Sequence, residues 1–262
     1  MYNFDVTRPT TIADAVQALQ TDEAQPLSGG QTLIPTLKAR LAAPSVLVSL
    51  SGIDEMKGVC LDDDGRLCIG GATTHATVMR EAKAHYPALA SLASRIGDPA
   101  VRNRGTIGGS IANNDPSACY PAGALASGAT IVTNNREIAA DDFFQGMFAT
   151  ALEEGEIVTE VKFPIPQGAH YEKHIQPASR FPLVAAFVAR FSDGVRVAIT
   201  GASESGVFRW SEAEAALDGN FSADALSGMT VPADGMIGDL HGSPEYRAHL
   251  VGVMTRRAVA AI

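Results

Sequence analysis

A chain of 262 residues with 46% hydrophobic and 19% charged residues has the composition of a soluble globular protein and enough length for about two domains. A net charge of −9 argues against a nucleic-acid-binding surface. No apolar run is long enough for a membrane span, and the N-terminus lacks the pattern of a signal peptide, which points to a cytoplasmic protein.

In chain order, Thr11 and Asp14 resemble a capping box, which predicts a short amphipathic helix over 12–19. A brief strand through Pro26 and Leu27 delivers Ser28-Gly29-Gly30-Gln31-Thr32-Leu33. A helix over 33–40 follows, so these glycines stand at a helix N-terminus, where the dipole favours an anion. Residues 46–50 read as a buried strand. Asp62-Asp63-Asp64-Gly65 lacks the alternating ligands of a calcium loop and reads as a solvated turn before a strand over 66–70. Thr74 caps a predicted helix reaching residue 84, and a second helix covers 87–95, ending at Gly97. Residues 129–132 and 136–138 form a predicted hairpin around Asn134 and Asn135. A strand over 156–163 is closed by Pro164 and Pro166, and 164–168 is the candidate domain boundary. Beyond it come strands over 183–191 and 195–202, a helix over 211–217, and a loop-rich stretch over 219–242. Ser243, with Pro244 at the first helical position, starts a terminal helix to residue 260. There is no internal repeat. The order is α+β, without regular βαβ alternation.

Between the helix at 87–95 and the hairpin lies the most unusual stretch, from Ile96 to Pro116. Gly105, Gly108 and Gly109 fall within five positions. Such clustering implies that Cβ atoms are sterically excluded or that positive φ is needed. Ile107 and Ile111 can anchor the segment in a core, while Thr106 and Ser110 add hydroxyls. Free N–H groups with short hydroxyls suit a phosphate or diphosphate; from the glycines alone, a tight turn between two strands reads equally well. The segment at 28–33 has the same grammar, and two such loops could hold one diphosphate from both sides.

Other chemistry is poorly supported. Neither Gly-x-Gly-x-x-Gly nor Gly-x-x-x-x-Gly-Lys occurs. His170 and His174 flank a Glu at the wrong position for a zinc protease and read as a surface or core pair. Ser203 to Gly206 is not a nucleophile elbow, and no Ser-His-Asp set stands out. The three cysteines, Cys60, Cys68 and Cys119, include no Cys-x-x-Cys, so no iron–sulfur ligand set is expected. Each is expected to be a small buried apolar residue. Chemistry carried by a cofactor is favoured.

The pair Ser-Gly-Gly-Gln-Thr-Leu-Ile-Pro and Asn-Arg-Gly-Thr-Ile-Gly-Gly-Ser-Ile-Ala-Asn-Asn-Asp-Pro resembles the FAD-binding medium subunit of molybdenum hydroxylases, the xanthine dehydrogenase and carbon monoxide dehydrogenase type. The likeness runs from Phe4-Asp5-Val6 to Gly242-Ser243-Pro244-Glu245-Tyr246-Arg247. It implies a two-subdomain FAD-binding fold of the vanillyl-alcohol-oxidase/PCMH type over 1–166 (about 1–57 and 58–166). A C-terminal α+β domain with a small antiparallel sheet then covers 167–262. It implies that the diphosphate lies between Ser28, Gly29, Gly30, Gln31, Thr32 and Leu33 on one side and Thr106, Ile107, Gly108, Gly109 and Ser110 on the other. Ile96, Ile157 or Val158, Asp115 and Lys173 are implied near the flavin. Cys119 stands where many relatives carry an aspartate close to the cofactor. FAD is expected to be noncovalent, because Gln31 occupies a loop in which relatives with tethered flavin place a His. The resemblance further implies a small partner with two [2Fe-2S] clusters and a large partner with the molybdenum cofactor, in a dimer of heterotrimers. Electrons would pass from the clusters through FAD to an external acceptor. A free-standing flavin oxidoreductase and a non-redox nucleotide-binding module remain open alternatives.

Overall fold

The computed structural model describes all 262 residues. Its first layer is a parallel sheet of β1 (Asp5–Thr7), β2 (Ala24–Leu27) and β3 (Val46–Ser49), with β3 central. Helix α1 (Ile12–Ala18) begins where the Thr11 hydroxyl accepts the Asp14 N–H, as the sequence predicts. Helix α2 (Leu33–Lys38) follows the first glycine segment and is two residues shorter than expected, because Arg40 turns left-handed. Ala15, Val48, Ile53 and Met56 pack into a small core that also takes in Ala72 and Ile157 from further along the chain.

The second layer is an antiparallel sheet in the order β4 (Val59–Leu61), β5 (Leu67–Gly70), β10 (Val158–Phe163), β6 (Thr130–Thr133), β7 (Glu137–Ala139). One face carries α3 (His75–Glu81), α4 (Pro87–Ser94), the short α5 (Pro99–Arg102), α6 (Ile107–Asn113) and α7 (Tyr120–Ser127). Leu67, Ile69, Ile131, Val161 and Phe163 from the strands meet Leu89, Leu92, Ile107 and Ile111 from the helices in the largest core. After β7, α8 (Ala140–Phe143) leads into the small hairpin β8 (Phe144–Gly146) and β9 (Ala149–Thr150). The Asn114 amide ties that hairpin to the end of α6 by donating to the Gly146 and Ala149 carbonyls, each at 2.8 Å.

The third layer is an antiparallel meander of β11 (Gly168–Ile175), β12 (Pro182–Arg190), β13 (Val195–Ser203) and β14 (Gly206–Arg209). Strand β12 is apolar almost throughout because both of its faces are covered. Ala185, Phe187 and Ala189 enter the largest core, while Val184, Ala186 and Val188 enter a second one. That second core is closed by α9 (Ser211–Gly219) and by α10 (Pro244–Ala260), whose Ser243 hydroxyl accepts the Tyr246 N–H. No helix is long and apolar enough to cross a membrane.

Candidate functional site

The two glycine segments lie side by side, and different physics holds each in place. In the first, Gly30 has φ of +70°, a region L side chains avoid, and Gly29 sits so close to the other segment that an added Cβ would land on the Arg104 carbonyl oxygen. The second segment is not the loop that the sequence suggested. It is the start of α6, capped by the Thr106 hydroxyl, which accepts the Gly109 N–H at 3.3 Å. None of Gly105, Gly108 and Gly109 has positive φ. They are glycines because of close approach. A Cβ on Gly105 would stand 2.5 Å from His75 Nε2, and one on Gly108 would stand 2.6 Å from the Gly71 carbonyl oxygen. The segments are joined by a hydrogen bond of 2.7 Å between the Ser28 and Thr106 hydroxyls.

Their backbone donors also differ. The N–H groups of Ile107, Gly108, Gly109 and Ser110 are spent on Thr73 O, Gly71 O, Thr106 Oγ1 and Thr106 O. Five consecutive N–H groups, from Gly29 to Leu33, donate to nothing in the chain. A run of open backbone donors at the start of a helix is the chemistry that an anionic phosphate takes.

Both segments border one cavity of about 1030 Å³, large enough for a dinucleotide cofactor. Of the residues expected at the site, Ser28, Gly29, Gly30, Gln31, Thr32 and Leu33 line one side. Thr106, Gly108, Gly109 and Ser110 line the other. Ile96, Asp115, Cys119, Ile157, Val158 and Lys173 also line the cavity, with the Val158 carbonyl packed on Gly71 beside Gly108. Ile107 does not reach the cavity. It is fully buried in the largest core and acts as the anchor of α6.

Lys173 lines the cavity and is 4% exposed. Its ammonium donates to the Arg95 carbonyl at 2.8 Å and to Cys119 Sγ at 3.5 Å, and burial lowers its pKa. Where relatives are expected to place a carboxylate, this chain therefore offers the ammonium a soft thiol acceptor. The Arg95 guanidinium donates in turn to the Tyr171 and Lys173 carbonyls, which ties α4 to β11 beside the cavity.

Several lining residues carry no sequence signal. His75 opens α3 and is buried, its pKa pushed down to about 4 by burial and by the nearby Arg102 charge. Its Nδ1 is buried without a partner while its ring lines the cavity. The β11–β12 turn brings in Ser179, Arg180 and Phe181, with Ser179 and Arg180 both at φ of 61°. His241 reaches in from the loop-rich stretch, packs edge-on against Phe181 with ring centroids 5.4 Å apart and pairs with Gln176 at 2.6 Å. His170 and His174 lie on β11. His170 faces Glu172 at 3.4 Å and His174 packs edge-on to Tyr246, so neither belongs to the site. Nowhere do three His, Cys, Asp or Glu side chains converge as metal ligands.

The residues fit FAD on these observations: five open N–H groups and glycines with no room for a Cβ, bordering one cavity of dinucleotide size. Residues 2–166 match the family described as the FAD-binding domain in molybdopterin dehydrogenase. The chain belongs to that family. It is a medium, FAD-binding subunit of the molybdenum hydroxylase type, an oxidoreductase component. It is 35% identical to the carbon monoxide dehydrogenase medium chain of Afipia carboxidovorans, across 98% of this chain and 96% of that one. It is 34% identical to the nicotine 6-hydroxylase medium subunit of Paenarthrobacter nicotinovorans, across 96% and 94%. Among solved structures, that of the Cu,Mo-CO dehydrogenase in its cyanide-inactivated form superimposes with a TM-score of 0.90 at 32% identity, covering 99% of this chain and 98% of that one. Quinoline 2-oxidoreductase from Pseudomonas putida 86 gives a TM-score of 0.88 at 28% identity, covering 99% and 96%. This likeness bears out the expected two-part FAD fold with its antiparallel C-terminal sheet.

Proposed function

We propose that the chain is the flavin-carrying link of a cytoplasmic three-subunit molybdenum hydroxylase. It takes electrons from [2Fe-2S] clusters in a small partner and hands them to an external acceptor. A large partner binds the organic substrate and the molybdenum cofactor, and the assembly is a dimer of heterotrimers. The division of labour follows the medium chains and medium subunits to which this sequence is similar. Residues 1–166 form the cofactor domain, as subdomains 1–57 and 58–166, and residues 167–262 form the C-terminal domain.

The observation that carries the reading is the cavity itself. Its lining combines open backbone donors and hydroxyls for a diphosphate with a buried ammonium and apolar side chains. Gly29 to Leu33 bind the diphosphate through the backbone, and the Ser28 and Thr106 hydroxyls fix the spacing of the two walls. Ile96, Ile157 and Val158 exclude water beside the ring. Lys173 places a positive charge there, oriented by the Arg95 carbonyl. Bound FAD supplies the redox chemistry, and the chain supplies position and local charge.

The test is purification of the tagged chain from its own cells under mild conditions. Two partners should accompany it, one rich in cysteine and one containing molybdenum, and anaerobic substrate should bleach the flavin only in that complex. Turnover of an organic substrate by the isolated chain would replace this reading with that of a free-standing flavoenzyme. Acid precipitation should leave a colourless pellet and a yellow supernatant, because no tethering residue occupies the Gln31 position. A pellet that stays yellow after washing would refute noncovalent binding.

A further inference from the structure

Cys60 and Cys68 lie outside the cavity and have no part in the reading above. Cys60 was expected to be buried, but it is exposed on β4, the edge strand of the five-stranded sheet. Cys68 stands directly opposite on β5, between the register pairs Val59–Ile69 and Leu61–Leu67. The alternation of ladder bonds fixes the kind of pair. At one end the Asp62 N–H donates to the Arg66 carbonyl, and at the other the Gly70 N–H donates to the Gly58 carbonyl, both at 3.1 Å. Two residues in from either end is Cys60–Cys68, which is therefore a hydrogen-bonded pair with a Cα separation of about 5.5 Å. That falls within the Cα span of about 4.4–6.8 Å that a disulfide accepts, but the Cβ atoms of such a pair stand about 5.5 Å apart, beyond the usual span of about 3.5–4.5 Å, so closure draws the edge strand β4 in by about 1 Å and leaves a strained, readily reduced bond.

Directly opposed residues project from the same face of a sheet. Leu67 and Ile69 face the largest core, so Cys68 and Cys60 share the opposite face, where Lys162 is the register partner of Cys68 on β10. The two thiols differ in environment. Cys68 is 3% exposed, and burial, followed by the charges of Glu160 and Asp62, pushes its thiol up to about 12. Cys60 meets solvent.

We propose that Cys60 and Cys68 are a modification site: a dithiol that hydrogen peroxide closes to a cross-strand disulfide and a thiol reductant reopens. The exposed Cys60 sulfur attacks peroxide, giving a sulfenic acid and one water. The Cys68 sulfur then bonds to the Cys60 sulfur as its thiol proton passes to the sulfenic oxygen, and the S–O bond breaks to release a second water. Two thiols lose two hydrogens, and one peroxide becomes two waters. Reopening by thiol–disulfide exchange returns both thiols, consistent with the transient disulfides of reducing compartments. The clasp closes a short loop on β5, which ends at Gly70, and the carbonyl of the next residue, Gly71, accepts the Gly108 N–H at 2.9 Å.

The full chain is reduced, freed of reductant, treated with equimolar hydrogen peroxide, blocked with N-ethylmaleimide and digested without reduction. The peptides bearing Cys60 and Cys68 should be recovered joined. Titration in denaturant should show loss of two of the three thiols, restored by dithiothreitol. Cys119→Ser should still give the Cys60–Cys68 link, with no thiol left to titrate after peroxide. Cys68→Ser should form no internal link and should leave a Cys60 sulfenic acid that dimedone traps. The proposal falls if peroxide over-oxidises Cys60 or joins two chains through it while Cys68 stays a free thiol. It falls equally if the Cys60–Cys68 link forms only in unfolded protein.

Discussion

The two glycine segments look alike on paper and do opposite things in the molecule. Gly29 to Leu33 keeps its N–H groups open and turns on a positive φ at Gly30. The second segment spends the N–H groups of Gly105 and of Ile107 to Ser110 internally, leaving only that of Thr106, and uses glycine to let backbone lie on backbone at Gly71 and on the His75 ring. The first is a donor surface. The second is a packed wall whose contribution to a ligand is its shape and two hydroxyls. Clustered glycines therefore do not by themselves reveal which backbone groups face a ligand. The accounting of every N–H decides it.

The largest expected effect comes from forcing the two regions apart. Gly29→Ala places a methyl on the Arg104 carbonyl, where neither backbone can yield. It should cost about 3 kcal/mol of stability, the upper part of the overpacking range, and FAD should no longer co-purify. Gly219→Ala, whose methyl meets nothing within 4 Å, is the control and should retain full FAD content. Normal FAD content in Gly29→Ala would show that the segments are not in contact.

Acid should loosen the wall before the donor surface. The folded pKa of His75 is held down near 4, while the unfolded chain takes up that proton near 6.5. Its contribution is complete above pH 6.5 and is lost as pH falls toward 4, by about 3 kcal/mol in total. Denaturant titrations of the apo chain at pH 7.5 and 4.5 should show that drop, and His75→Gln should flatten it. An equal drop in the variant would assign the loss to other groups.

A smaller effect, on binding rather than folding, is expected at Gly30. Gly30→Ala keeps φ at a value that costs an L residue about 1–2 kcal/mol. The methyl meets mainly the flexible Ile34 side chain, 3.0 Å away. Relief of that strain should turn the open N–H groups aside and weaken FAD roughly tenfold. Gly108→Ala should do the reverse, lowering apo stability more than intrinsic affinity. The smallest effect belongs to the hydroxyl bridge. Ser28→Ala and Thr106→Ala should each cost about 1 kcal/mol in FAD affinity, and the double variant less than their sum, because they remove one shared bond. Strict additivity would mean that the bridge does not couple the walls.

Much of this was legible in the chain. Thr11, Thr74 and Ser243 announce their helices by capping, and each side chain accepts an N–H as expected. The first glycine segment was read correctly as strand, loop and helix start. Helix α7 was not read, because Tyr-Pro-Ala-Gly-Ala-Leu-Ala-Ser is buried on every side and shows no polar period. Strand β11 was missed because its partly exposed face carries His170, Glu172 and His174, which look like a motif in sequence and are a register in space. His75, Arg180 and His241 reach the cavity from separate elements, so only the tertiary fold unites them. Cys60 and Cys68 are eight positions apart, and only the ladder shows that they face each other.

The most direct test of the contrast between the segments is amide hydrogen exchange on the full chain with and without FAD, read residue by residue. Without FAD, the amides of Gly29 to Leu33 should exchange freely, and those of Ile107 to Ser110 should already be protected by Thr73, Gly71 and Thr106. Adding FAD should slow Gly29 to Leu33 strongly and change Ile107 to Ser110 little. Strong new protection at Ile107 to Ser110, with Gly29 to Leu33 unchanged, would contradict the assignment of the first segment as the donor surface for the diphosphate.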